Sequence, residues 1–248
     1  MKKICLVAGG FLALAVAAPV SASTITIDLF QDGGGENADP LNGLAARATF
    51  ESSGPLLTIL LQNTSSGIPD GFSAADSLLV SLGMNLPTGV VILSGDSASI
   101  GVDSVGLAEW STLRAGDNVN AEWAWTNAGG GDLLESFAQV ITTSQGNHGL
   151  TSFGGGKARV GGPFGGIAPN PLIRSIPNKH VAVSNSIEFV LTLSDVLSQA
   201  ELQELALGSI VEFGSDQRYL YVPEPASLVL FLAGMIVIRR SAGRRRTV

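Results

Sequence analysis

Two histidines, His148 and His180, are all that a chain of 248 residues offers for imidazole chemistry. A zinc site would need further ligands from carboxylates, and no H-E-x-x-H or comparable spacing occurs. Four acids, Asp28, Asp32, Glu36 and Asp39, gather around a triple glycine in "DLFQDGGGENADP". Calcium takes several such oxygens on a flexible loop, but the spacing fits neither the EF-hand nor a nonapeptide repeat, and a solvated turn is the simpler account. Trp123 and Trp125 in "NAEWAW" share one face of a strand, with Trp110 nearby in sequence. Such a pair serves either a core or a sugar-stacking platform. "GGGKA" at 154–158 fails as a phosphate loop, since Thr151 stands for the first glycine and Ala158 for the hydroxyl residue that would touch magnesium.

One serine invites a test. The apolar run leading into Gly95-Asp96-Ser97, in "VVILSGDSAS", resembles the nucleophile block of SGNH-type hydrolases. That resemblance implies a histidine base in a late D-x-x-H. Gln145 precedes His148 by three and Pro177 precedes His180 by three, so neither matches. A turn between strands explains "SGDS" without catalysis. The chain is read as carrying no catalytic machinery, no cofactor and no metal, with a hydrolase as the least favoured alternative.

The elements that must position these residues read as mainly β. With 31 glycines and only 6% aromatic residues, the composition points to a loop-rich β protein, long enough for one sizeable domain or two small ones. "STITIDLF" (23–30) alternates, setting Ile25, Ile27 and Leu29 on one face. "ARATFE", "SSGP" and "LLTILLQNTSSG" give strand, turn and strand. "DSLLVSLGMNLP", "GVVIL", "NAEWAW", "SFAQVITT" and "IEFVLTLS" continue the theme. The expected fold is an antiparallel β-sandwich, jelly-roll-like, over residues 23–221. One short helix stands out in "LSDVLSQAELQELALGS". Ser198 and Glu201 fit a capping box, Leu202, Leu205 and Ala206 share a face, and Gly208 suits a left-handed stop. It is expected to close one end of the sandwich. Residues 144–180 form a long Gly/Pro-rich stretch in which Phe153, Val160, Phe164 and Ile167 are expected to pack.

Charge narrows the partners. Seven of the 14 Lys and Arg lie at the ends (Lys2, Lys3, Arg239, Arg240, Arg244, Arg245, Arg246), leaving 7 − 21 = −14 between Ser23 and Ile238. No basic stripe remains for phosphates, which excludes nucleic acid as a partner.

Both termini read as targeting segments. Residues 1–22 combine Lys2 and Lys3, an apolar run and small residues before Ala22, the pattern of a signal peptide cleaved after Ala22. The only cysteine, Cys5, precedes that run, so the exported chain has none. At the other end, Ala226 to Ile238 is a run of 13 uncharged residues, about 20 Å long as a helix against a bilayer core of about 30 Å. The stems of Arg239 and Arg240 can extend it by snorkelling, and Arg239, Arg240, Arg244, Arg245 and Arg246 bias that end toward the cytoplasm. Before the run stands Val222-Pro223-Glu224-Pro225. Each residue before a proline is driven toward extended backbone, so this tetrapeptide resists helix.

Pro-Glu-Pro, a short apolar helix and terminal arginines, in that order, resemble the PEP-CTERM sorting signal of exosortase substrates. The likeness covers residues 223–248, with 222–248 taken as the sorting segment. "ATFESSGPLLTILLQNTSSG", "LPTGVVI" and "VEFGSD" more loosely resemble the β-sandwich ectodomains found on such substrates. The resemblance implies that an exosortase recognises and cleaves near the motif. It places the protein at the cell envelope, cell surface or extracellular matrix, in contact with polysaccharide or biofilm. A single C-terminal helix would hold it in the membrane before processing. The expected role is structural or adhesive, with a carbohydrate-binding module as the alternative. That alternative requires Trp123 or Trp125 to be exposed.

Overall fold

A computed structural model describes residues 22–32, 43–129, 136–144, 149–155, 165–176, 180–214 and 218–222. The expected leader and C-terminal helix, with Pro223, Glu224, Pro225 and the terminal arginines, lie outside them. Among the described residues no helix is long and apolar enough to cross a membrane.

The chain is mainly β, in two sheets. The first has five antiparallel strands in the order β1 (Ser23–Leu29), β3 (Ala46–Ser53), β4 (Leu56–Asn63), β13 (Ser186–Leu193), β6 (Ile92–Ile100). Alternation sets their faces. Ile27, Leu29, Ala48, Phe50, Ile59 and Leu61 turn inward, while Thr26, Arg47 and Glu51 face water. The β3–β4 hairpin closes through Gly54-Pro55, with Gly54 at φ +58°, a left-handed position glycine takes without strain.

The second sheet has ten strands. Its main path runs β10 (Thr151–Ser152), β8 (Ala124–Thr126), β9 (Gln139–Thr142), β5 (Leu79–Met84), β11 (Ile167–Ala168), β12 (Val181–Ser184), β7 (Gly106–Ala108). From β5 it also extends through β14 (Ile210–Phe213) and β15 (Arg218–Tyr221) to β2 (Gln31–Asp32). The expectation of antiparallel pairing fails at one place, because β11 and β12 are parallel. Parallel neighbours need a crossover of a dozen or more residues, and the chain from 169 to 180 provides it.

One core lies between the sheets, taking Phe50, Ile59 and Phe189 from the first and Leu82, Ile141 and Val211 from the second. Trp123 and Phe153 pack on Phe189 with ring centroids 4.9 and 5.3 Å away. Strand β5 is buried on both faces, since Leu78 and Val80 enter a second cluster with Ala168, Ile176 and Ala182. That explains its near-continuous apolar sequence. The Gly/Pro-rich stretch packs where expected at Phe153 and Ile167. Val160 and Phe164 lie outside the described residues.

The helix α1 (Gln199–Leu207) begins as its sequence requires. The Ser198 hydroxyl accepts the Glu201 N–H, and Glu201 Oε2 accepts the Ser198 N–H at 2.9 Å. Leu202, Leu205 and Ala206 enter the core, and the helix packs on β1 and β3 as the chain passes from one sheet to the other. Its stop differs from expectation. Gly208 sits at φ −84°, not left-handed, and its N–H still reaches the Glu204 carbonyl at 3.0 Å. Ser209 completes the end, its hydroxyl donating to the Leu205 carbonyl. A side chain supplies the partner that a left-handed glycine turn would otherwise give.

Candidate functional site

The residues singled out by sequence fall into separate environments. Trp123 is fully buried, and its indole N–H donates to the Gly165 carbonyl at 3.1 Å. Trp125 is 9% exposed. Trp110 is half-buried against the same core. The sugar-stacking platform is therefore corrected: neither Trp123 nor Trp125 offers a face to a ligand, because both rings fill the space between the sheets.

Gly95-Asp96-Ser97 is also corrected, from a turn to the middle of β6. The register against β13 pairs Ser97 with Val190 and Gly95 with Leu191, leaving Asp96 as the extra residue of a bulge. Asp96 accepts hydroxyl hydrogen bonds from Ser94 at 2.6 Å and from Thr192 at 2.7 Å. Gly95 faces inward under the rings of Trp125 and Phe153; a Cβ there would lie 2.4 Å from the indole. The glycine is a packing requirement, and the serine beside it belongs to a strand.

His180 stands just before β12, half-exposed, its carbonyl accepting the Glu109 N–H. His148 lies outside the described residues. Asp28, the first acid of the calcium candidate, pairs across the strands with Arg47 at 2.8 Å. The hydrogen bond and charge of Asp28 hold the Arg47 pKa above its ordinary value. The Asp32 side chain, Glu36 and Asp39 are not described. No group of three or more metal-binding side chains comes together among the described residues.

What the fold does assemble escaped the sequence. In one row across neighbouring strands stand Thr142, Ser81, Glu212 and Tyr219. Glu212, only 5% exposed, accepts the Ser81 hydroxyl at 2.6 Å and the Ser144 hydroxyl at 3.4 Å. Ser81 also lies 2.8 Å from the Thr142 hydroxyl. Buried polar atoms need such partners, and here hydroxyls from two segments converge on one carboxylate. Ser81 is fully buried, with no route for a substrate. The apolar patch of Phe137, Val140, Ile210 and Tyr219 continues the same region. Only a lone Glu in "IVEF" and a lone Ser in "LLVSLGM" hinted at it.

A second charged cluster ties down the last strand. Arg218 of β15 pairs with Asp76 at 3.0 Å and stacks 3.8 Å from the Phe72 ring centre. Burial pushes the Asp76 carboxyl up, but hydrogen bonds from Ser73 and the Arg218 guanidinium outweigh it and hold it below its ordinary range. Arg174 donates to the Phe72 carbonyl.

An open groove of about 450 Å³ lies between α1 and the chain at Asn85–Thr88, lined by Glu201 and Glu204. The Ser198 hydroxyl and N–H hold the Glu201 carboxyl below its ordinary range, so it is committed to the cap.

At the two ends of the described body, exposed Ala22 directly precedes β1. Strand β15 ends at Tyr221, whose carbonyl accepts the Phe30 N–H at 3.2 Å. Burial raises the Tyr221 phenol pKa. Val222, the last described residue, packs partly against the core. The chain matches no protein-family model, no curated protein and no solved structure.

Proposed function

We propose that this is an exported bacterial envelope protein whose C-terminal segment is a sorting signal read by an exosortase. Its β-sandwich body, jelly-roll-like in arrangement, acts structurally or adhesively in the extracellular polysaccharide matrix and contributes no catalytic group. The observation that carries the reading is the order of parts behind the last strand. Val222-Pro223-Glu224-Pro225 is followed by 13 uncharged residues and then by five arginines within 239–246. Restricted backbone at the prolines favours the extended form that a protease cleft takes, and Glu224 offers one charge to read. The 226–238 run then lies in the bilayer with the arginines inside.

The fold supports this reading from the other side. β15 ends at Tyr221, so the motif starts where pairing stops. Ala22 is exposed one residue before β1, open to a leader peptidase. The aromatic and hydroxyl–carboxylate groups that could serve chemistry are buried, which fits a scaffold.

The test is the double variant Pro223→Ala/Glu224→Ala, expressed in the native host. The membrane fraction is expected to accumulate a form that keeps its C-terminal segment. Processing at the wild-type rate would overturn the reading.

A further inference from the structure

We propose that, before processing, the corner of the fold formed by Phe30 and Tyr221 is seated at the lipid headgroup layer. This rests on reading 226–238 as a membrane anchor. Four residue steps separate Val222 from Ala226, a reach of at most about 14 Å, and two of the three residues between them are proline. The headgroup layer is about 5–7 Å deep on each side of the hydrocarbon. A body of this length has a radius of gyration near 16 Å, so it is about 40 Å across. A tether shorter than half that width leaves little choice of which side faces the membrane.

The exit point cannot move away on a loosened strand without breaking the sheet. β15 is paired on both edges, with β14 and β2, and Leu220 is fully buried. Arg218 is pinned by Asp76.

At this exit the surface suits a headgroup layer. Phe30 is 59% exposed, an unusual place for a large aromatic, and its backbone is bonded to Tyr221. Tyr221 and Val222 are half-buried beside it. Tyr and Trp, with one apolar and one polar end, concentrate at membrane interfaces, which suits Tyr221, while the exposed Phe30 ring adds apolar surface beside it. Leu93, also 60% exposed, lies on β6 at the opposite edge of the first sheet from β1, about 19 Å away across four strand spacings. It should stay in water.

The absence of cysteine after the leader makes the test direct. Full-length chains carrying Cys5→Ser with either Phe30→Cys or Leu93→Cys are exported in a host lacking the exosortase. The leader-free form is checked by mass and reconstituted in phosphatidylethanolamine/phosphatidylglycerol vesicles. A thiol-reactive fluorophore is then quenched by headgroup-labelled nitroxide lipid. Flotation with the vesicles, with quenching at residue 30 at least about twice that at residue 93, is the expected result. Flotation with equal quenching overturns the seating and leaves the anchor standing. Failure to float removes the anchor, and the seating with it. Both labelled sites are exposed, so thermal melting of each variant should match the parent.

Discussion

Adding one methyl group at Gly95 distinguishes a packed bulge from a catalytic turn. In Gly95→Ala the new Cβ would fall 2.4 Å from Cδ1 and Nε1 of Trp125 and 2.9 Å from Cδ1 of Phe153. Phe153 in particular has little room to retreat. Phe153 is buried against Phe189, which in turn carries Trp123. Overpacking of a filled core costs about 1–3 kcal/mol, and contact with two buried rings puts this case near the upper figure. For a domain of this size each kcal/mol lowers Tm by about 2–4 °C, so a drop of about 6–12 °C is expected. Calorimetry reads the shift, and Trp fluorescence reports the displaced indole. Asp96→Ala removes two hydroxyl hydrogen bonds at the exposed bulge, worth about 1 kcal/mol each, so its drop is smaller than that of Gly95→Ala. A Gly95→Ala protein melting within 1 °C of the parent would refute the packing argument.

Three further outcomes follow from the same contacts. Ser198→Ala removes the hydroxyl half of the α1 cap while leaving the backbone N–H to Glu201, and should cost about 1 kcal/mol by urea denaturation, with Ser198→Asp restoring most of it. The Asp76 carboxyl is depressed on folding, so its contribution is complete above its unfolded pKa of about 3.9 and is lost as pH falls toward the lower folded value. Asp76→Asn should therefore flatten the acid limb of a stability–pH curve below about pH 4. Tyr221 has the opposite sign: its raised phenol adds stability below about pH 10 that is lost as pH rises further, and Tyr221→Phe should flatten that alkaline limb.

Local patterns made much of the body legible. The long strands β1, β3, β4 and β13 announce themselves by alternation, because each has one wet and one buried face. The cap of α1 is equally local, three residues apart in sequence. What escaped depends on distant neighbours. "SGDS" looks like a turn until Trp125 and Phe153 are laid over Gly95, which makes it a bulge. β2, β10 and β11 are two residues each, too short for any period. Glu212 meets a serine 131 positions away, and nothing in "IVEF" says so. Trp123 and Trp125 were legible as one face of a strand, but which side that face met was decided by the second sheet. The Pro-Glu-Pro motif is the reverse case, written in sequence order and lying just past the last described strand.

Intact-mass analysis of the protein from its native host, beside a strain lacking the exosortase, tests the central claim most directly. The account predicts a wild-type species shortened at both ends, beginning at Ser23 and lacking Arg239 to Arg246, and a mutant-strain species that keeps the C-terminal segment. A wild-type protein that still carries those arginines would contradict it.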